Sequence, residues 1–125
     1  MEKEFIPYEQ ALALKELGFN RKTLAQYNTY QGNEWILTFN FSEEGQYTGN
    51  GGPCVAPTFS QVFRWFREKH KLSGTPQYFT GGYYCYTIND MKDTEKSNRL
   101  FTEFETYEEA ELACLIKLIE IVRNG

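Results

Sequence analysis

Histidine is nearly absent from this chain: His70 stands alone among 125 residues. General acid–base chemistry there would need a carboxylate such as Asp90 or Asp93, and nothing in the spacing demands one. Cysteine is scarce too. Cys54, Cys85 and Cys114 are far apart, with no C-x-x-C pair. An odd, scattered set fits reduced thiols in a cytosol, not a disulfide framework or a zinc site. A thiol dyad of Cys54 or Cys85 with His70 has no local signature behind it. No His/Cys/Asp/Glu group has metal-ligand spacing, and the glutamates Glu108, Glu109 and Glu111 are explained by a helix start. The glycine-rich run Gly49-Asn50-Gly51-Gly52-Pro53 lacks the Lys-Ser/Thr ending of a P-loop. No apolar stretch approaches 18 residues and Met1-Glu2-Lys3-Glu4 is charged, so neither export nor a membrane span is expected. Positive charge is also short. A net charge of −4 does not suit a general nucleic-acid coat, although a local basic pocket is compatible with it. These absences leave no catalytic residues, metal or cofactor to name.

Aromatic residues are plentiful: nine Tyr, ten Phe and two Trp, enough ring area to stabilise a short chain. The length suits a single domain over residues 1–125. Its clearest stretch runs from Pro57 to His70. Thr58 and Gln61 form a Thr-x-x-Gln capping box, and Phe59, Val62, Phe63 and Phe66 follow as one apolar stripe. Ser60, Arg64, Arg67 and Lys71 share a different arc, roughly 80–140° around from Phe59. One helix thus carries a core face and a basic face.

From the N-terminus, Pro7–Leu17 reads as a helix closed by Gly18, with Phe19 positioned to meet Leu14. Thr23–Tyr30 and Glu34–Phe41 read as strands around Gln31-Gly32-Asn33. Trp35, Leu37, Phe39 and Phe41 alternate in the second. Ser42–Ala56 reads as a loop with a short strand at Gln46–Thr48. Beyond Leu72, Ser73-Gly74-Thr75-Pro76 reads as a helix break. Gln77–Thr80, Tyr83–Asn89 and Arg99–Glu105 read as strands, with Asn89–Ser97 a polar hairpin loop. Thr106-Tyr107-Glu108-Glu109 is a second capping box, opening a helix to Arg123. Leu112, Ile116 and Ile119 give that helix a second apolar stripe, suited to another element or to a second subunit in a homo-oligomer. The expected class is α+β, an antiparallel sheet with helices on one face, in the order α-β-β-α-β-β-α.

The segments Glu4–Ala11 through Leu17-Gly18-Phe19, Ala56–Lys69 and Thr106–Leu115 resemble a family of small uncharacterised proteins encoded by gut anaerobic bacteria, their prophages and their phages. The likeness covers the three helices. It implies a bacterial or viral accessory protein working in the bacterial cytoplasm, and supplies no catalytic residues.

Arginine beside aromatic rings is chemistry suited to a nucleobase with phosphate. The expected ligand is therefore a small phosphorylated, nucleotide-like molecule, plausibly an immune signal, captured without catalysis. Trp65, Tyr83, Tyr84 and Tyr86 would stack on it. Arg64, Arg67 and Arg99 would hold phosphate, and Thr58 and Ser60 would donate at the helix start. The alternative is an adaptor or inhibitor that binds a host protein through the stripe Leu112, Ile116 and Ile119.

Overall fold

A computed structural model of the chain describes residues 2–29, 35–42, 54–93 and 97–125, with the backbone alone described at 2, 28–29, 35–42 and 97–102. The chain divides into two compact units, Met1–Gln61 and Val62–Gly125. After a short 3-10 turn come α1 (Tyr8–Glu16), β1 (Thr23–Thr29), β2 (Trp35–Ser42), β3 (Cys54–Ala56) and α2 (Phe59–Trp65). A π turn (Phe66–His70), β4 (Leu72–Phe79), β5 (Tyr83–Asp90), β6 (Ser97–Phe104) and α3 (Tyr107–Asn124) complete it. The α+β class expected from the sequence stands, with antiparallel strands. They form two three-stranded sheets, β2-β1-β3 and β4-β5-β6.

In the first unit, Pro7 takes an extended conformation ahead of α1, and its carbonyl accepts from Ala11 N at 2.9 Å. Gly18, at φ 94°, turns the chain away. Phe19 N then donates to Leu14 O at 2.9 Å, closing the helix as a Schellman motif around a buried Phe19 ring. Thr23, Ala25 and Tyr27 point inward along β1, and the Tyr27 hydroxyl donates to Ile6 O at 2.6 Å. Cys54–Ala56, expected as the end of a loop, is a strand paired with β1 and buried at all three positions. Three consecutive buried residues show no alternation, so the pattern does not betray them. The turn Gln31-Gly32-Asn33, the short strand Gln46–Thr48, the loop Gly49–Pro53 and the side chains of Trp35–Phe41 lie outside what the structure describes.

The capping box at Thr58 is reciprocal. Gln61 N donates to Thr58 Oγ1 at 3.2 Å, and Thr58 N donates to Gln61 Oε1 at 3.0 Å.

In the second unit the helical run stops at His70. Lys71 sits in the left-handed region at φ 56°, ψ 36°, and its N–H donates back to Phe66 O. Ser73-Gly74-Thr75-Pro76 is therefore no helix break; it is the body of β4, paired with β5 from Leu72↔Asp90 to Phe79↔Tyr83. Glycine and proline are both tolerable there because β4 is an edge strand of its sheet. Gly74 has a positive reason as well. A Cβ at that position would lie 2.8 Å from Cys114 Sγ and 2.9 Å from Leu118 Cδ1, so α3 seats directly on the strand backbone. The Thr106 hydroxyl caps α3 by accepting from Glu109 N at 3.1 Å, and Ala110, Cys114, Leu115, Leu118 and Ile119 bury its inner face. Burial of side chains the size of Leu115, Leu118 and Ile119 stabilises by about 1.5–3 kcal/mol each.

Candidate functional site

The helix Val62–His70 changes geometry where it matters. In the π turn the chain bonds from residue i to i+5, so the fifth residue on returns over its starting point. His70 is five residues beyond Trp65, and its ring meets the Trp65 indole edge-on at 4.9 Å. Phe66 flanks the same imidazole at 5.8 Å. Two aromatic rings thus hold the side chain in one orientation.

His70 so held lines a cleft of about 490 Å³. Leu72 and Ile88 supply one apolar wall from the sheet, and Ile121 and Val122 supply another from the end of α3. Asp90 and Lys92 line the same cleft. Strand register explains this grouping: Leu72 pairs with Asp90, and Met91 N donates to Lys71 O at 2.8 Å. Asp90 Oδ1 accepts from Lys92 N at 2.9 Å, a side-chain turn that fixes the backbone under the Lys92 ammonium.

The cleft also holds polar groups. His70 Nε2 is buried and has no hydrogen-bond partner among the described residues. Burial, and then the positive charges of Lys69 and Lys92, lower the His70 pKa below its ordinary value. That shift favours the neutral imidazole, and the Lys92 ammonium and the Asp90 carboxylate face the same cleft with opposite charges. An unpartnered buried ring nitrogen costs about 1–3 kcal/mol, which a ligand oxygen at hydrogen-bonding distance would offset.

The residues named from sequence are placed differently from this group. Trp65 is 2 % exposed, a core ring against Phe66 and His70, and presents no face to a ligand. Its role is to orient His70. Tyr86 is 5 % exposed and stacks on Phe104 at 6.3 Å, with burial, Cys114 and Glu120 together raising its hydroxyl pKa. Tyr84 is half-buried between Tyr78 and Tyr107 on the α3 side of β5, and Tyr83 is exposed on the opposite face. Arg64 and Arg67 are exposed, and Arg64 Nε lies 3.6 Å from Glu68 Oε2 in an i,i+4 pair. No described hydrogen bond, ion pair or ring contact joins either arginine to those tyrosines. Arg99 pairs in register with Thr87, and its side chain lies outside the described residues. Thr58 is occupied by its capping box, and Ser60 is exposed. The stripe Leu112, Ile116 and Ile119 is not one open face either: Ile116 is 44 % exposed and Ile119 only 5 %.

Burial also bears on the thiols. It pushes Cys54 up to about 11 against the pull of Lys15, so at neutral pH this sulfur is a protonated, poor nucleophile. Among the described residues no three His, Cys, Asp or Glu side chains gather to hold a metal, and no helix is long and apolar enough to cross a membrane.

Sequence reasoning considered His70 with Asp90 but had no means to add Lys92, Ile121 and Val122. Only the single histidine was a signal, because the other lining residues meet through strand register and helix packing. Comparison with protein-family models, curated proteins and solved structures finds no match for this chain.

Proposed function

We propose that this protein binds a small anionic ligand, of the phosphorylated nucleotide-like class, in the His70 cleft and holds it without reaction. The observation that carries the reading is the buried His70 Nε2, without a hydrogen-bond partner among the described residues, in a cleft it shares with Lys92 and with Lys69 adding positive charge at the ring. Phosphate oxygen would meet Lys92 and His70. A ribose hydroxyl would donate to Asp90, and the apolar walls Leu72, Ile88, Ile121 and Val122 would take the flat base. A cleft of about 490 Å³ is of ordinary size for a ligand of that bulk. This moves the binding role from the Arg64, Arg67 and tyrosine set to His70, Asp90 and Lys92. The resemblance to phage and prophage proteins makes a nucleotide-derived immune signal the first ligand to try, with sequestration in a bacterial cytoplasm as the consequence.

A lone histidine makes the test direct, because the imidazole gives one carbon-bound proton resonance pair to follow by NMR. Adenosine monophosphate, cyclic dinucleotides and inorganic phosphate are titrated in turn. Binding is expected to move the His70 resonances and to raise the His70 pKa, since a bound anion stabilises the imidazolium. Lys92→Gln should weaken the effect, and mass spectrometry of the denatured complex should return the ligand intact. If none of these compounds perturbs His70, the reading is wrong.

A further inference from the structure

The far end of the second unit carries a surface unrelated to the His70 cleft. β4 and β5 are joined through Thr80, Gly81 and Gly82, with Gly81 at φ 122° and Gly82 at φ 94°. Around this tight turn the rings stay in solvent: Tyr78 is 62 % exposed, Phe79 46 % and Tyr83 41 %. Tyr78 pairs in register with Tyr84, and their rings meet edge-to-face at 5.4 Å. Tyr84 in turn meets Tyr107, the first residue of α3, at 6.1 Å and also edge-to-face. Tyr78, Tyr84 and Tyr107 therefore form a continuous aromatic row across two strands onto a helix start. A solvent-facing row of large rings is uncommon on a soluble surface unless something docks there.

Charge in the segments that carry these rings is sparse and acidic. Residues 72–88 include no Asp, Glu, Lys or Arg, while residues 100–116 carry Glu103, Glu105, Glu108, Glu109 and Glu111 and no Lys or Arg. Burial, then Glu111, Cys114 and Glu108, raise the Tyr107 hydroxyl pKa, so carboxylates stand close to the end of the row. Glu109 is partly committed, since its Oε2 accepts from Glu105 N at 3.3 Å. Glu108 and Glu111 stand near the Tyr107 end of the row. Tyrosine faces attract guanidinium and ammonium groups, and nearby carboxylates reinforce that choice. Phosphate and nucleic-acid backbones would be repelled. Strand addition along β4 is disfavoured because Pro76 removes a backbone donor from that edge.

We propose that the row Tyr78–Tyr84–Tyr107 with its glutamate border is a docking surface for an arginine-bearing segment of a partner protein. Side chains of the segment lie over the rings, and their charges meet the carboxylates. The surface uses none of the residues of the His70 cleft, so either idea can fail without the other.

The test uses the full-length protein with fluorescein-labelled peptides of alternating Arg and Gly, Lys and Gly, and Glu and Gly, read by fluorescence anisotropy. The arginine peptide is expected to bind more tightly than the lysine peptide, more weakly in added salt, and the glutamate peptide not at all. Tyr78→Ser should weaken the arginine peptide about two- to fivefold, the range for an exposed cation–π contact. Glu108→Gln should weaken it and flatten its salt dependence. Tyr78 is mostly in solvent, so its replacement leaves the fold intact, and a matching unfolding midpoint verifies that. Equal binding of the arginine and glutamate peptides would overturn the proposal, as would an unchanged affinity in Tyr78→Ser. Light scattering that finds a dimer abolished by Tyr78→Ser would overturn it as well, because the occupant is then a second copy.

Discussion

Gly74 is where the packing of α3 on the sheet can be measured. Substitution by alanine adds one methyl group, and its carbon would stand 2.8 Å from Cys114 Sγ and 2.9 Å from Leu118 Cδ1. Both neighbours are fully buried, so neither has open space to retreat into. Overpacking of this kind costs about 1–3 kcal/mol. The stiffer unfolded chain returns about 0.4–1 kcal/mol. The steric cost is larger, and Gly74→Ala should destabilise the protein by about 1–2 kcal/mol. In urea that is a midpoint lower by roughly 1 M at unchanged slope. Partial rescue identifies the cause. Cys114→Ala removes the nearer of the two atoms, so the double variant should be less destabilised than the sum of the singles, by about 1 kcal/mol. Gly82→Ala is the control. It has nothing within 4 Å but a φ of 94°, so its cost is backbone strain alone and is uncoupled from Cys114. A Gly74→Ala protein as stable as the parent, or strict additivity with Cys114→Ala, would refute the close-contact argument. Because α3 also supplies Ile121 and Val122 to the cleft, ligand affinity should fall along with stability.

Cys54 and Cys114, pushed up to about 11 and about 12 chiefly by burial, should stay unreactive to a disulfide reagent at pH 8 until urea unfolds the chain; rapid labelling of either in the native protein would contradict their burial. His70 has its pKa lowered in the fold, so the unfolded chain takes up that proton first. Stability should therefore fall as pH drops through about 6.5 toward the folded value. In His70→Gln that part of the slope disappears, and identical urea midpoint shifts between pH 7.5 and pH 5.5 in both proteins would exclude the effect. Trp65→Ala should cost about 3–5 kcal/mol, as for a large core ring, whereas Tyr83→Ala should leave the midpoint nearly unchanged. Equal midpoints for the two would overturn the placement of Trp65.

What could be read without coordinates is what neighbours in sequence decide among themselves. The Thr58 capping box is complete as expected, and at Thr106 the hydroxyl half is present while Glu109 accepts from Glu105 N instead; groups this close in sequence satisfy each other without help from the rest of the chain. The Gly18 closure with Phe19 behind Leu14 is local in the same way. The α+β class follows from such starts and stops together with the strand patterns between them. The first part of β4, ahead of the Gln77–Thr80 segment read as strand, escaped because Gly74 and Pro76 carry the marks of a break. Whether they break a helix or sit in an edge strand depends on pairing with β5, which no short window contains.

The grouping of the cleft residues was hidden for the same reason. Counting 100° per residue sets Trp65 apart from the Phe59 stripe, but packing claims the indole and a π turn swings His70 over it. Composition and short-range spacing determined which residues start helices, which form strands, and that a lone histidine and many rings are available. Tertiary structure alone decided which rings are spent inside and which groups share a cleft. Those outcomes are set by contacts between residues tens of positions apart, and such contacts leave no trace in local pattern.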